Sequence, residues 1–141
     1  MSTLLSRKQD PDSRGRIQKI TPESSGWKYV GFEVFMLKSG ELLEQKTVVR
    51  EICLVLVSGK ANIKTSHESW DNLGKRLSVF DRKSIAEGIP PYAVYVPNND
   101  EFVVESLTDV ELAVCSAPGL GNFAARLIKP EDTVYETRGQ R

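Results

Sequence analysis

Arg50-Glu-Ile-Cys-Leu-Val-Leu-Val-Ser-Gly59 holds an unbroken apolar run from Ile52 to Val57, closed by the turn-forming pair Ser58-Gly59. A run this short, rich in branched side chains and apolar at successive positions, reads as a central strand covered on both faces. Working outward, short runs with an approximate period of two surround it: Val30 to Leu37, Glu41 to Val49, Ala61 to Thr65, Arg76 to Phe80, Ala93 to Val96, Glu101 to Leu107 and Glu111 to Ser116. Ser39-Gly40, Pro97-Asn98-Asn99-Asp100 and Thr108-Asp109 separate them with hairpin chemistry. Strands at this regular spacing predict an all-β, antiparallel barrel or sandwich over residues 27–128. Phe32, Val34, Leu54, Leu56, Val94, Val103 and Leu112 are the expected core, because alternate residues of a half-buried strand share one face.

The flanks read differently. Residues 1–26 are polar and turn-rich, with Asp10-Pro11-Asp12-Ser13 and Thr21-Pro22-Glu23-Ser24-Ser25-Gly26, and predict an N-terminal arm rather than a core element. Thr21-Pro-Glu is alternatively the opening of a short helical turn. Elsewhere the best helical segment is only Ser84-Ile-Ala-Glu87. Phe123 to Ile128 is one further strand candidate, and residues 129–141 form a polar C-terminal extension.

At 141 residues and 40% hydrophobic content the chain is sized for one domain with a single core. Lys plus Arg and Asp plus Glu each number 19, so no net charge steers the chain toward nucleic acid or an anionic membrane. Ile52 to Val57 is too short to span a bilayer, and Met1-Ser-Thr-Leu-Leu-Ser-Arg-Lys8 lacks the apolar region of a signal peptide. The expected compartment is therefore the cytoplasm. Cys53 and Cys115 lie inside apolar runs, where a thiol acts as a small hydrophobe. The single histidine, His67, sits in Ser66-His-Glu-Ser69, a loop pattern, so one copy cannot assemble a multi-histidine metal site.

Ser39 to Gly59 followed by Gly88 to Asn99 resembles the paired motifs of cupins, whose jelly-roll-like barrels hold a metal on histidines and a carboxylate. The resemblance places Lys46, Val48 and Tyr92 where histidines are expected, and leaves Glu51 as the one coordinating side chain. No metal or other cofactor is therefore expected in this chain.

Longer runs narrow the resemblance: Thr21-Pro-Glu-Ser-Ser-Gly-Trp27-Lys-Tyr-Val-Gly-Phe-Glu-Val34, Arg50 to Lys60, Pro90-Pro-Tyr92-Ala-Val-Tyr-Val-Pro97 and Glu111 to Gly119. They resemble the amino-terminal half of the 5-deoxy-glucuronate isomerases, the bicupin isomerases of inositol catabolism. The resemblance implies a cytoplasmic aldose-ketose isomerase of carbohydrate metabolism acting on a deoxy sugar acid. It implies two cupins in tandem, with a divalent metal in the second, so residues 129–141 would lead toward that domain. Asp81 to Ile89 is longer than the corresponding loop of the family.

Aldose-ketose isomerisation moves a proton between neighbouring carbons and needs a base and an electrophile. Under that reading Glu51 is the candidate base, Lys46 and Arg50 are candidate binders of the substrate carboxylate, and Tyr92 is a candidate partner for a sugar hydroxyl. Simpler roles stand beside each: Arg50 and Glu51 flanking a buried strand, Lys46 pointing at solvent, and Tyr92 anchoring the core. Gly119-Leu-Gly121-Asn122 is a turn and not a phosphate cradle, since no helix pattern follows it. Two functions remain open. The chain is the metal-free, separately inactive half of an isomerase, or a non-catalytic module for dimerisation or sugar-acid binding. Both predict pairing, with a second copy or with a second cupin domain.

Overall fold

The computed structural model describes residues 5–85, 87–136, 138 and 139. Its strands are β1 (Arg16–Ile20), β2 (Gly31–Leu37), β3 (Leu42–Lys46), β4 (Arg50–Ser58), β5 (Ala61–Thr65), β6 (Ser69–Leu73), β7 (Ala93–Val96), β8 (Glu101–Ser106), β9 (Val110–Pro118) and β10 (Arg126–Ile128). They form two antiparallel sheets, one ordered β1-β2-β9-β4-β7-β10 and the other β3-β8-β5-β6. The predicted all-β sandwich is present, and Ile52 to Val57 lies in β4, flanked by β9 and β7 as a central strand must be.

The core lies between the sheets. Phe35, Leu37, Ile52, Leu54, Leu56, Val94, Val96, Leu112 and Val114 from the first sheet meet Leu43, Ile63, Leu73, Phe102 and Val104 from the second. Three inward polar side chains are satisfied locally. Thr47 Oγ1 bonds Pro97 O at 2.7 Å, Ser106 Oγ bonds Lys38 O at 2.6 Å, and Thr65 Oγ1 accepts from Glu68 N at 3.1 Å. Each ties a loop to a strand end, which is how buried hydroxyls avoid a desolvation cost.

Leu54, Leu56, Val94 and Leu112 take their expected core places, whereas Phe32, Val34 and Val103 do not. The buried residues of β2 and β8 are their neighbours Phe35, Leu37, Phe102 and Val104. Both faces of β2 carry apolar side chains, so alternation alone left its inward face undecided, and a shift of one residue exchanges the two faces. In β8 Val103 shares its face with Glu101 and Glu105, so alternation there favours Phe102 and Val104 as the inward residues.

The arm contributes more than expected. Its residues Arg16–Ile20 pair with β2 as an edge strand, and Ile17 is only 5% exposed. The alternative reading of Thr21-Pro-Glu holds, since a one-turn helix α1 (Pro22–Ser25) follows it. Thr21 Oγ1 accepts from Ser24 N at 3.0 Å and Ser24 Oγ accepts from Thr21 N at 2.9 Å, a reciprocal cap.

Arg76 to Phe80 is not a strand; β6, formed by Ser69–Leu73, takes the place beside β5. The side chain of Arg76 instead pins the segment, donating to Val57 O and Ile89 O, both at 2.7 Å. Near Ser84 a bridge between Arg82 and Gly88 closes a tight turn in place of a helical one. Ala86 of that segment lies outside the described residues.

Candidate functional site

Alternation along β4 sends Ile52, Leu54 and Leu56 into the core, and Arg50 two residues earlier points into the mouth of the sandwich. Glu51, Cys53 and Val55 point the opposite way. At this end β2 and β9 contribute Gly31 and Ser116, which are cross-strand partners. Arg50 Nε donates to Ser116 Oγ at 3.1 Å, and Nη2 donates to Ser116 O at 3.2 Å and to Tyr29 O at 2.6 Å. Glycine at 31 is a close-approach requirement, since a Cβ there would come 2.7 Å from Ser116 Oγ and 3.4 Å from Arg50 Nη2.

These groups form one wall of an open cavity of about 280 Å³, completed by Lys19, Glu33, Gln45 and Lys46. The lining changes from apolar at Ile52 to polar at the rim. Glu33 is already committed, because Arg16 Nη1 donates to its Oε2 at 2.9 Å.

The four residues singled out from sequence are not brought together. Glu51 faces outward and accepts a hydrogen bond from the Tyr95 hydroxyl at 2.8 Å. Burial, then that hydrogen bond, pushes the Tyr95 phenol up to about 12. Lys46 is exposed and lies opposite Glu101 on the outer side of the second sheet, so its stem only borders the cavity. Tyr92 packs against the hydrophobic core, and its carbonyl accepts from Leu56 N at 3.0 Å. Glu51 and Leu56 are five residues apart along β4, or ~17 Å at strand rise, which sets Tyr92 near the other end of the sandwich. Only Arg50 occupies an inward position at the mouth.

His67 is exposed in the loop between β5 and β6. Among the described residues no group of three or more His, Cys, Asp or Glu side chains is placed to hold a metal ion. The interior, where a barrel metal would sit, is filled by apolar side chains, so the residues present do not fit such an ion. Lys19, Glu33 and Ser116 went unnoticed in the sequence. Lys19 lies in the arm, and Ser116 is visible only as a polar break after Val114-Cys115.

The other face of the first sheet has an apolar centre, bounded by Gln18 opposite Val34 at the β1 edge and by Arg126 opposite Tyr95 at the β10 edge. Cross-strand partners continue Ile20, Phe32, Cys115, Cys53 and Tyr95 in one row, and Val34, Ala113, Val55 and Ala93 in the next. Burial raises both thiols, Cys53 further through its neighbour Cys115, and both remain free.

The sequence pattern of the KduI/IolB family matches residues 4–141. The chain belongs to the KduI/IolB family. It is 50% identical over 139 residues to a protein named 5-deoxy-glucuronate isomerase from Geobacillus thermodenitrificans, covering 99% of this chain and 48% of that one. The protein of the same name from Bacillus subtilis is 37% identical over 144 residues, covering 99% of this chain and 51% of its own. The chain thus spans about half the length of the curated relatives it matches. A crystal structure of an IolB-like protein from Salmonella typhimurium superposes with a TM-score of 0.83 at 45% identity, over 92% of this chain and 47% of that chain. A variant of Bacillus subtilis oxalate decarboxylase, at 14% identity and a TM-score of 0.58 over 82% of this chain and 28% of its own, shares the fold alone. The architecture is that of the cupins, as the motif layout implied.

Proposed function

We propose that this chain is the amino-terminal, non-catalytic cupin of a 5-deoxy-glucuronate isomerase, working in the cytoplasm on a deoxy sugar acid from inositol breakdown. The observation that carries the reading is the 50% identity over 139 residues to a protein of that name. Isomerisation builds negative charge on two oxygens as the proton leaves carbon, and a general base must stand beside that carbon. In this barrel Glu51 points outward to Tyr95 and the core is apolar, so the candidate base Glu51 and the cation Arg50 do not face a common space, while Glu33 in the mouth is bonded to Arg16. The chemistry belongs to a second cupin bearing a divalent metal, and this barrel serves as its structural partner. The apolar outer face of the first sheet is the surface for that pairing, since a strand apolar on both faces is normally covered on both.

The test compares the two-cupin protein with residues 1–141 alone, each supplied with 5-deoxy-glucuronate. Turnover to the keto isomer is expected from the longer protein only. Isomerase activity from residues 1–141 that Glu51→Ala abolishes would overturn the assignment.

A further inference from the structure

We propose that Cys53 and Cys115 form a reversible thiol–disulfide site, linked across β4 and β9 when a low-molecular-weight disulfide oxidises them. The proposal goes beyond the isomerase reading and does not depend on it.

Register places the pair. β4 and β9 run antiparallel without a shift from Arg50 opposite Pro118 to Leu56 opposite Leu112, and Cys53 stands opposite Cys115 at the middle of that ladder. Gly119 N donates to Val49 O at 3.0 Å, so the odd-numbered positions of β4 are the ones bonded to β9. Leu56 N, at an even position, donates instead to Tyr92 O on the other side. Cys53 and Cys115 are therefore a hydrogen-bonded pair, whose Cα atoms stand about 5.5 Å apart. Disulfides span ~4.4–6.8 Å between Cα atoms, so closing one here needs no large backbone movement. Directly opposite residues share a face, which puts both Sγ atoms on the outer side of the sheet.

The surroundings decide how the pair behaves. Phe32 is the cross-strand neighbour of Cys115 on β2, and Tyr95 is that of Cys53 on β7, so an aromatic ring flanks the dithiol on each side. Both cysteines are half-buried and free. Burial raises both thiols, so thiolate is scarce and the first attack on an oxidant is slow. The second step is fast, because the resolving thiol already lies opposite the first. Cβ atoms of opposite strand residues are about 4.5–5.5 Å apart, whereas a disulfide draws them to ~3.8 Å. The closed bond is thus strained and readily reduced, which makes it a reversible linkage rather than a structural one.

In the reaction one protein thiolate attacks a sulfur of the small disulfide, forming a mixed disulfide and expelling a small thiolate. The other protein thiolate attacks the protein sulfur of that adduct and expels the second small thiolate. The protein loses two electrons and two protons, and the small disulfide gains them as two thiols.

The experiment holds the reduced 141-residue chain with excess oxidised glutathione in native buffer, dilute enough to leave the sheet face open. Remaining thiols are blocked with iodoacetamide before mass spectrometry. The expected product is an intact chain lighter by two hydrogens and free of alkyl groups, with a peptide pair joining Cys53 to Cys115. Dithiothreitol should return both thiols. Cys53→Ser and Cys115→Ser should each lose the linkage and stop at the glutathione adduct, because no second thiol resolves it. If either variant fails to fold, the unsubstituted chain decides the matter alone. Two alkylated thiols, a persistent glutathione adduct on the unsubstituted chain, disulfide-linked dimers, or a linkage that forms only in urea would each overturn the proposal. The readout is covalent mass and not turnover, so a failed isomerase assay leaves this result standing.

Discussion

At the scale of single residues, the pair Arg50 and Glu51 shows how much one position of alternation decides. They are adjacent in sequence, yet one donates to Ser116 and Tyr29 at the mouth and the other accepts from Tyr95 on the outer face. The Tyr95 phenol, raised to about 12 by burial and by Glu51, yields a direct prediction. A raised phenol stabilises the fold while it is neutral, so its contribution is present below its ordinary value of 10.0 and is lost as pH rises through about 12. Ultraviolet titration of the 4 tyrosines should show one late component, which Tyr95→Phe removes and Glu51→Gln shifts toward lower pH. Titration of all tyrosines together would show that the bond to Glu51 does not persist in solution. The sequence contained both residues, but the pairing of Glu51 with a side chain 44 positions away was invisible in it.

At the scale of elements, strands and breaks were legible where turn chemistry bounded an apolar run, as at Ser58-Gly59 after β4. The N-terminal strand escaped because Arg16-Ile-Gln-Lys-Ile20 has only two apolar residues and lies among turn formers. Its hydrogen bonds come from β2, a partner that local propensity cannot anticipate. The opposite error at Arg76 to Phe80 has the same origin. Leu77, Val79 and Phe80 look like strand residues and are 63%, 46% and 80% exposed, because Asp81 accepts from Leu77 N at 2.8 Å and folds the chain into a turn. If β1 is part of the packed sheet, Ile17→Ala should destabilise by about 2 kcal/mol or more, the lower range for truncating a buried isoleucine. Urea unfolding measures this, and a cost near zero would return residues 16–20 to the status of an arm.

At the scale of the whole molecule, the first sheet has a second apolar surface. In the rows through Phe32, Cys115 and Cys53 and through Val34, Ala113 and Val55 every residue is half-buried by its own neighbours except Ala113, which is buried, and Met36 beside them is 40% exposed. In a solution of the isolated chain a second copy is expected to cover this face. Sedimentation should show association that Val34→Lys weakens, and alkylation of Cys53 and Cys115 should be faster in that variant. A monomer at high concentration, with both thiols alkylated equally fast in the two proteins, would exclude homomeric pairing through this sheet. The sequence by itself determined the all-β class and the central place of Ile52 to Val57, because strand periodicity and turn residues are local properties, while the cupin layout came from the resemblance of its motifs to a known family. Only the tertiary structure decided which face of β2 is inside, that residues 16–20 join the sheet, and that Arg50 alone among the candidates reaches the mouth. Those outcomes depend on register between strands distant in the chain, and where both faces of a strand are apolar no local pattern specifies it.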